Sequence, residues 1–377
     1  MRLGASVKNI KISALQLILL AVGVALMLPY TFMPIIKSAE TTRSLILTIT
    51  LSIVYLLILD APIIFLMKKH QGASAHEIFG SIAGSKFSKV ISVVYILLFA
   101  FLLFSYALIV VQFLKTSIIP TVPTTVVLSA ILVPAVYIVF KGGGVLARIS
   151  VFFVPIMLFT ILLFSIFGVP DMDIKRILPI VGSDSILSVN KAALIVATRV
   201  SEVLIIFSFA NHLRKTQSTT KIYLITICMY SIFLVLMVLP TVLVLGQKYA
   251  SMTLNPYYTY ARQIKFYDSI ERLHALSALA GFPCMILRLS TYGVMASKMF
   301  SNIALAKHTK VFTLAFFIVI FITLLLALSY GFFANTIIID TNTYIVISII
   351  AKCILPLVFV VIYLIKKALV KLTLLRR

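Results

Sequence analysis

Apolar runs bounded by charged or turn residues fall at about 12–36, 44–67, 90–114, 118–140, 148–169, 192–211, 222–246, 273–297, 311–334 and 343–365. Each is close to the roughly 20 residues a helix needs to cross the hydrocarbon of a bilayer. Lipid offers backbone groups no hydrogen-bond partner, so a helix that satisfies its own N–H and C=O groups is the form such a run takes. Ten runs therefore predict a single transmembrane domain of ten helices, numbered here in chain order, with a break between the third and fourth at Lys115, Pro120 and Pro123.

The net charge of +23 would point to nucleic acid in a soluble chain, but 62% of these 377 residues are hydrophobic and the mean hydropathy is +1.16. The lysines and arginines occupy the short gaps between apolar runs, which is the pattern of a topology signal, and no aromatic nucleic-acid motif accompanies them. With the N-terminus inside, cytoplasmic segments hold twenty of the 33 basic residues, from Arg2 to Arg377, while Glu40, Asp171, Asp173, Asp184, Asp268, Glu271 and Asp340 fall outside. That bias predicts both termini in the cytoplasm, in agreement with an even number of helices. The first run lacks a small-residue cleavage site and reads as a retained span.

Ten helices divide into two halves of five, and an odd number per half makes the second half run in the opposite sense to the first. This is the arithmetic of an inverted-repeat, LeuT-like transporter, in which helices 1 and 6 are equivalent and each is discontinuous near the membrane midplane. Both carry anomalies at equivalent places. Helix 1 reads AVGVALMLP, with Gly23 central and Pro29 six residues on. Helix 6 reads ATRVSEVLIIFSF, where Arg199 and Glu202 interrupt an apolar run at a cost of roughly 2.5 to 3.5 kcal/mol each. Three residues apart, they share a face and can pair if the helix is intact; alternatively Glu202 faces a cavity, where it carries a proton or meets an ammonium group.

Other intramembrane charges have less definite readings. Arg288, five residues after Pro283, serves as a counter-ion for Glu202, as a partner for a substrate carboxylate, or as a structural partner. Asp60 reads as a cap or a snorkelling residue near the inner end of helix 2, and Lys352 as a pairing residue in helix 10. The connection FGVPDMDIKRILPIVGSD suits an external helix or lid, and the tyrosines of GQKYASMTLNPYYTYARQIKFYDSIERL read as interface anchors. Cys228, Cys284 and Cys353 lie in apolar runs without paired spacing, and the five histidines lack ligand spacing. No phosphate loop, nucleotide motif or catalytic triad is visible, so the reading is a non-enzyme without cofactor or metal.

The run KGGGVLARISVFFVPIMLFTILLFSIFGVPDMDIKRILPI resembles a segment of the spore germination permeases, the B subunits of GerA-type germinant receptors. The resemblance rests on Gly142 to Gly144, Arg148, Pro155, Ile156, Pro170, Asp171, Asp173, Leu178 and Pro179. It is extended by KISALQLILLAVGVALMLP, HEIFGSIAGSKFSKVISVVY, SEVLIIF and IERLHALSALAGFPCMILRLSTYG, and so covers nearly the whole chain. The chain departs from the family's pattern in GASAHE, where a proline is frequent, in Ser201, where a glycine precedes the acid, and in Arg288, more often a lysine.

The resemblance implies an amino acid-polyamine-organocation type fold in the inner membrane of a bacterial spore. It further implies a nutrient ligand, an amino acid by analogy, and partners in a receptor A subunit and a lipoprotein C subunit. The expected ligand site lies between helices 1, 3, 6 and 8, with Gly23, Val24, Ala25, Leu26, Tyr106, Thr198, Ser201, Glu202 and Arg288 as contacts. Pro29, Arg199 and Pro283 are expected to act in structure or gating. Two other readings stay open: a proton-coupled amino-acid transporter, and a structural membrane subunit with a vestigial pocket.

Overall fold

The computed structural model describes residues 11–37, 44–177, 186–200, 202–213, 217–264, 273–304, 308–329 and 341–375. Ten helices in it are long and apolar enough to cross a membrane. They are α1 (Ala14–Thr31), α2 (Leu45–Lys69), α3 (Ser85–Phe113, continued by a π turn Leu114–Ile118), α4 (Thr124–Lys141) and α5 (Gly143–Phe167). Next come α6, in two pieces α6a (Ile186–Arg199) and α6b (Glu202–Phe209), then α7 (Thr219–Leu245), α8 (Leu273–Ser301) and α9 (Thr309–Ser329). The last, α10, runs from Thr341–Ile349 through a π turn Ile350–Ile354 into Leu355–Leu375.

Local sequence sets several of these boundaries. Ser13 and Gln16 close a capping box on the first turn of α1, and Ser74 and Glu77 do the same for a short helix, Ala75–Ala83, that leads into α3. The sequence pattern places a loop from Lys141 to Arg148, but one residue suffices: Gly142, at φ +85°, ends α4 and begins α5. Likewise α3 starts earlier than its apolar run, because Lys86 and Lys89 are exposed and leave the helix free to pass through them.

The helices differ sharply in how much protein surrounds them. In its most apolar stretch α6 is 94% buried and α1 83%, against 22% for α9, whose exterior Val311, Ile318, Val319 and Ile322 face outward as a lipid surface would require. The α1 helix packs on α5, α7 and α8, α6a lies against α2 and the start of α10, and α8 lies against α3, α4 and α5. Close approach of α1 to α5 depends on Gly23, where a Cβ would sit 2.4 Å from the Val154 Cγ2 atom.

Of the two expected helix breaks, one stands where expected and the other is displaced. Helix α6 is discontinuous where expected: α6a ends at Arg199, Val200 lies outside helix, and α6b begins at Glu202. Helix α1 instead runs unbroken through Gly23 to Thr31. Its interruption comes at Phe32 and Met33, the latter at φ +51°, before a four-residue turn Pro34–Lys37. Pro29 explains the position, since its ring is tolerated only with the loss of a backbone bond and lies one turn before the stop.

Among the loop tyrosines, Tyr257 and Tyr260 differ from expectation, whereas Tyr249 is exposed and Tyr267 lies outside the described residues. The connection between α7 and α8 folds into two short helices, Gln247–Met252 and Pro256–Gln263, and Tyr257 and Tyr260 are fully buried. The Tyr260 hydroxyl donates to the Phe164 carbonyl at 2.7 Å, over Gly168, and Tyr257 packs on Tyr30. They plug the bundle end instead of anchoring it at an interface. The connection after α5 forms 3-10 turns at Val169–Asp171 and Ile174–Ile177; Leu178, Pro179 and the rest of the expected lid lie outside the described residues.

Candidate functional site

Among the described residues, five charged side chains are buried: Asp60, Arg199, Glu202, Arg288 and Lys352. They come from α2, the two sides of the α6 break, α8 and the π turn of α10, and electrostatic interactions connect them. Three cations face two carboxylates, a formal excess of one positive charge in the middle of an apolar bundle.

The break creates two opposed helix ends. The carbonyls of Ala197 and Thr198 belong to the last turn of α6a, where a helix end leaves carbonyls without intrahelical donors. The Lys352 Nζ atom donates to both, at 3.4 and 3.1 Å. Glu202 opens α6b, so its carboxylate stands at the positive end of a helix dipole. Only 1% of the Glu202 surface is exposed, and among the described residues neither carboxylate oxygen has a hydrogen-bond partner on another residue.

Arg199 and Glu202 do not pair. The break turns them apart, and the Arg199 guanidinium lies over the rings of Tyr344, 4.6 Å away, and Phe32, 5.7 Å away. Glu202 interacts instead with Lys352, Asp60 and Arg288. Asp60 likewise is neither a cap nor a snorkel. It is fully buried in the body of α2, where its Oδ2 atom accepts from Tyr223 of α7 at 3.0 Å and its Oδ1 atom has no hydrogen-bond partner among the described residues.

Arg288 binds the α1 backbone, its Nη1 atom donating to the Val24 carbonyl at 2.7 Å. Its guanidinium lies over Tyr106, at 4.5 Å, and Tyr292, at 5.7 Å, and the Tyr106 hydroxyl donates to the Met27 carbonyl at 3.4 Å. Val24, Tyr106 and Arg288 thus meet. A narrow cleft beside the break is lined by Ala25, Leu28, Pro29, Val196, Val200 and Tyr230. Because Pro29 has no N–H, the Ala25 carbonyl lacks its intrahelical donor there.

Other candidate residues stand elsewhere. Gly23 faces Val154 of α5, and Leu26 is fully buried. Thr198 turns its hydroxyl back to the Leu194 carbonyl at 2.8 Å and offers only its own carbonyl, to Lys352. Pro283 lies within continuous α8, near Gly281, where an added Cβ would sit 2.7 Å from the Tyr30 Cε1 atom. Ser201 lies outside the described residues. Asp60, Lys352 and Tyr223 were not among the expected contacts; an ionisable residue inside an apolar run is the signal that finds the first two.

A bundle of this topology, with a broken sixth helix and charges at the break, defines the LeuT-like transporter fold. Solved structures share it, among them the following two. One is MhsT in complex with L-phenylalanine, with a TM-score of 0.59 at 18% identity, covering 90% of this chain and 85% of that one. The other is a mutant of the Eremococcus coleocola manganese transporter, with a TM-score of 0.54 at 12% identity, covering 93% of this chain and 78% of that one. The profile described as "spore germination protein" matches residues 11–330, and the chain belongs to that spore germination permease family. No curated protein matches it.

Proposed function

We propose that the chain is the nutrient-binding membrane subunit of a spore germinant receptor and that it binds an amino acid at the α6 break. The observation that carries this reading is Glu202, a buried carboxylate at the start of a half-helix that, among the described residues, has no hydrogen-bond partner on another residue. An α-ammonium group supplies both the charge and the donors such a carboxylate lacks, and the Ala25 carbonyl at the adjoining cleft is a second acceptor. The excess of cations contributed by Arg199 and Arg288 suits the α-carboxylate. Family membership supports germination, and the transporter fold supports a small solute.

In this reading the protein resides in the spore inner membrane with both termini in the cytoplasm, as the basic bias suggests. It works with an A subunit and a lipoprotein C subunit, and binding shifts the bundle between conformations that those partners sense. The test is germination of spores carrying Glu202→Gln in place of the wild-type chain, across a panel of amino acids, alongside uptake by vesicles containing each protein. Loss of the response with the protein present in normal amount is expected. A normal response refutes the site, and proton-driven uptake without a germination defect assigns the carboxylate to a transporter instead.

A further inference from the structure

Lys352 is the least conventional of the buried charges. Only 2% of its surface is exposed, yet among the described residues the one direct ion pair is Arg176–Asp173 at the surface, not a pair made by Lys352. A lysine placed only to neutralise Asp60 and Glu202 would put its ammonium against their oxygens. Here the Nζ atom goes to the Ala197 and Thr198 carbonyls, and the carboxylates of Asp60 and Glu202 interact with it from greater distance.

Those carbonyls form the C-terminal end of α6a, where the helix dipole concentrates about half a negative charge. In transporters with broken helices such ends, with unwound carbonyls, hold dissociable cations. The surroundings here have the composition of a cation site: two backbone carbonyls, two carboxylates in electrostatic range and a wall of apolar helices. Arg288 is the other cation in electrostatic range of Lys352.

The backbone of α10 is shaped to deliver the ammonium. Lys352 lies in the π turn Ile350–Ile354, a local widening that costs α-helical bonds and often marks a functional position. Tyr95 of α3 compensates, its hydroxyl donating to the Ala351 carbonyl at 3.1 Å. A lysine on an ordinary turn would need no such support.

We propose that Lys352 is a tethered cation, its ammonium occupying the α6a carbonyl end where a free monovalent cation would otherwise bind. The conformation of the α6 break is then held without sodium or potassium, and the energy of an ion gradient has no purchase at this place. The inference goes beyond nutrient binding and concerns the empty protein, so its test needs no nutrient.

The test compares thermal unfolding of the full chain in detergent with sodium, potassium, ethylammonium or choline chloride at equal ionic strength. Wild type should melt at the same temperature in all four. Lys352→Ala should melt several degrees lower in choline and recover at least half the loss in sodium, potassium or ethylammonium, which bind the vacated end and stabilise by mass action. Lys352→Met should lose stability without recovery, because its side chain fills the space, whereas Lys352→Arg should retain most of it. If the alanine variant yields no folded protein, the methionine and arginine variants decide alone. The proposal is overturned if sodium or potassium raises the wild-type melting temperature over choline, if Lys352→Ala responds to no cation, or if Lys352→Met is as stable as wild type or as Lys352→Arg.

Discussion

Replacing Gly23 by alanine puts a methyl carbon 2.4 Å from the Val154 Cγ2 atom and 3.3 Å from Cγ1. Carbon atoms pack best at about 3.5 to 4.0 Å, so the first contact is short by more than about 1 Å and either α1 or Val154 must shift. Overpacking of this kind costs about 1 to 3 kcal/mol. Val154→Ala alone removes two methyl groups from a fully buried position. Since lipid is as apolar as the bundle interior, its cost is lost dispersion contact more than lost hydrophobic transfer, and about 1 kcal/mol is expected. In the double variant the new methyl enters the space the old ones left. The two changes should therefore couple favourably by about 1 to 3 kcal/mol, within the range measured for residues in contact. Melting temperatures of the four proteins in one detergent complete the cycle. Additive losses would refute the packing role of Gly23, and recovered stability with continued loss of nutrient response would assign its backbone a further task at the ligand.

Glu202→Gln should leave the melting temperature unchanged or raise it, because neither oxygen loses a hydrogen bond to another described residue and a costly buried charge is removed; a fall as large as about 3 kcal/mol would make Glu202 a structural ion-pair member. Tyr223→Phe should destabilise by about 1 to 3 kcal/mol, read in the same melting assay, since it takes the one hydrogen bond Asp60 has while that carboxylate stays buried. Arg288→Met should cost about 2 to 4 kcal/mol through loss of the charged bond to Val24 and the stacking on Tyr106, whereas Arg288→Lys should keep the charge and lose part of the geometry.

The ten helices were legible because the requirement for about 20 apolar residues per crossing is strong and leaves few alternatives. The break in α6 was legible for a related reason, as Arg199 and Glu202 are too costly in lipid to lack a purpose. What the sequence concealed is the direction of side chains. Spacing of three suggested that Arg199 and Glu202 could pair, and it is the break between them that sends one to Tyr344 and the other to the α10 lysine's neighbourhood. Similarly, Gly23 and Pro29 both mark an irregular helix, but only contacts with Val154 show that Gly23 serves packing and that the interruption follows Pro29. Asp60 and Lys352 sit on separate helices nearly 300 residues apart in sequence, and no periodicity within either run could join them.

Whether an amino acid binds at the α6 break through Glu202 can be measured by direct binding, without the rest of a receptor. Purified wild-type chain and its Glu202→Gln variant would be titrated with each L-amino acid in turn, with saturable binding read by equilibrium dialysis of the labelled compound. At least one amino acid should bind the wild type, and the variant should bind it at least about tenfold more weakly, the loss of about 1.4 kcal/mol or more expected for an unmade charged hydrogen bond. Equal affinity in both proteins, or no binding of any amino acid to the wild type, would contradict binding through Glu202.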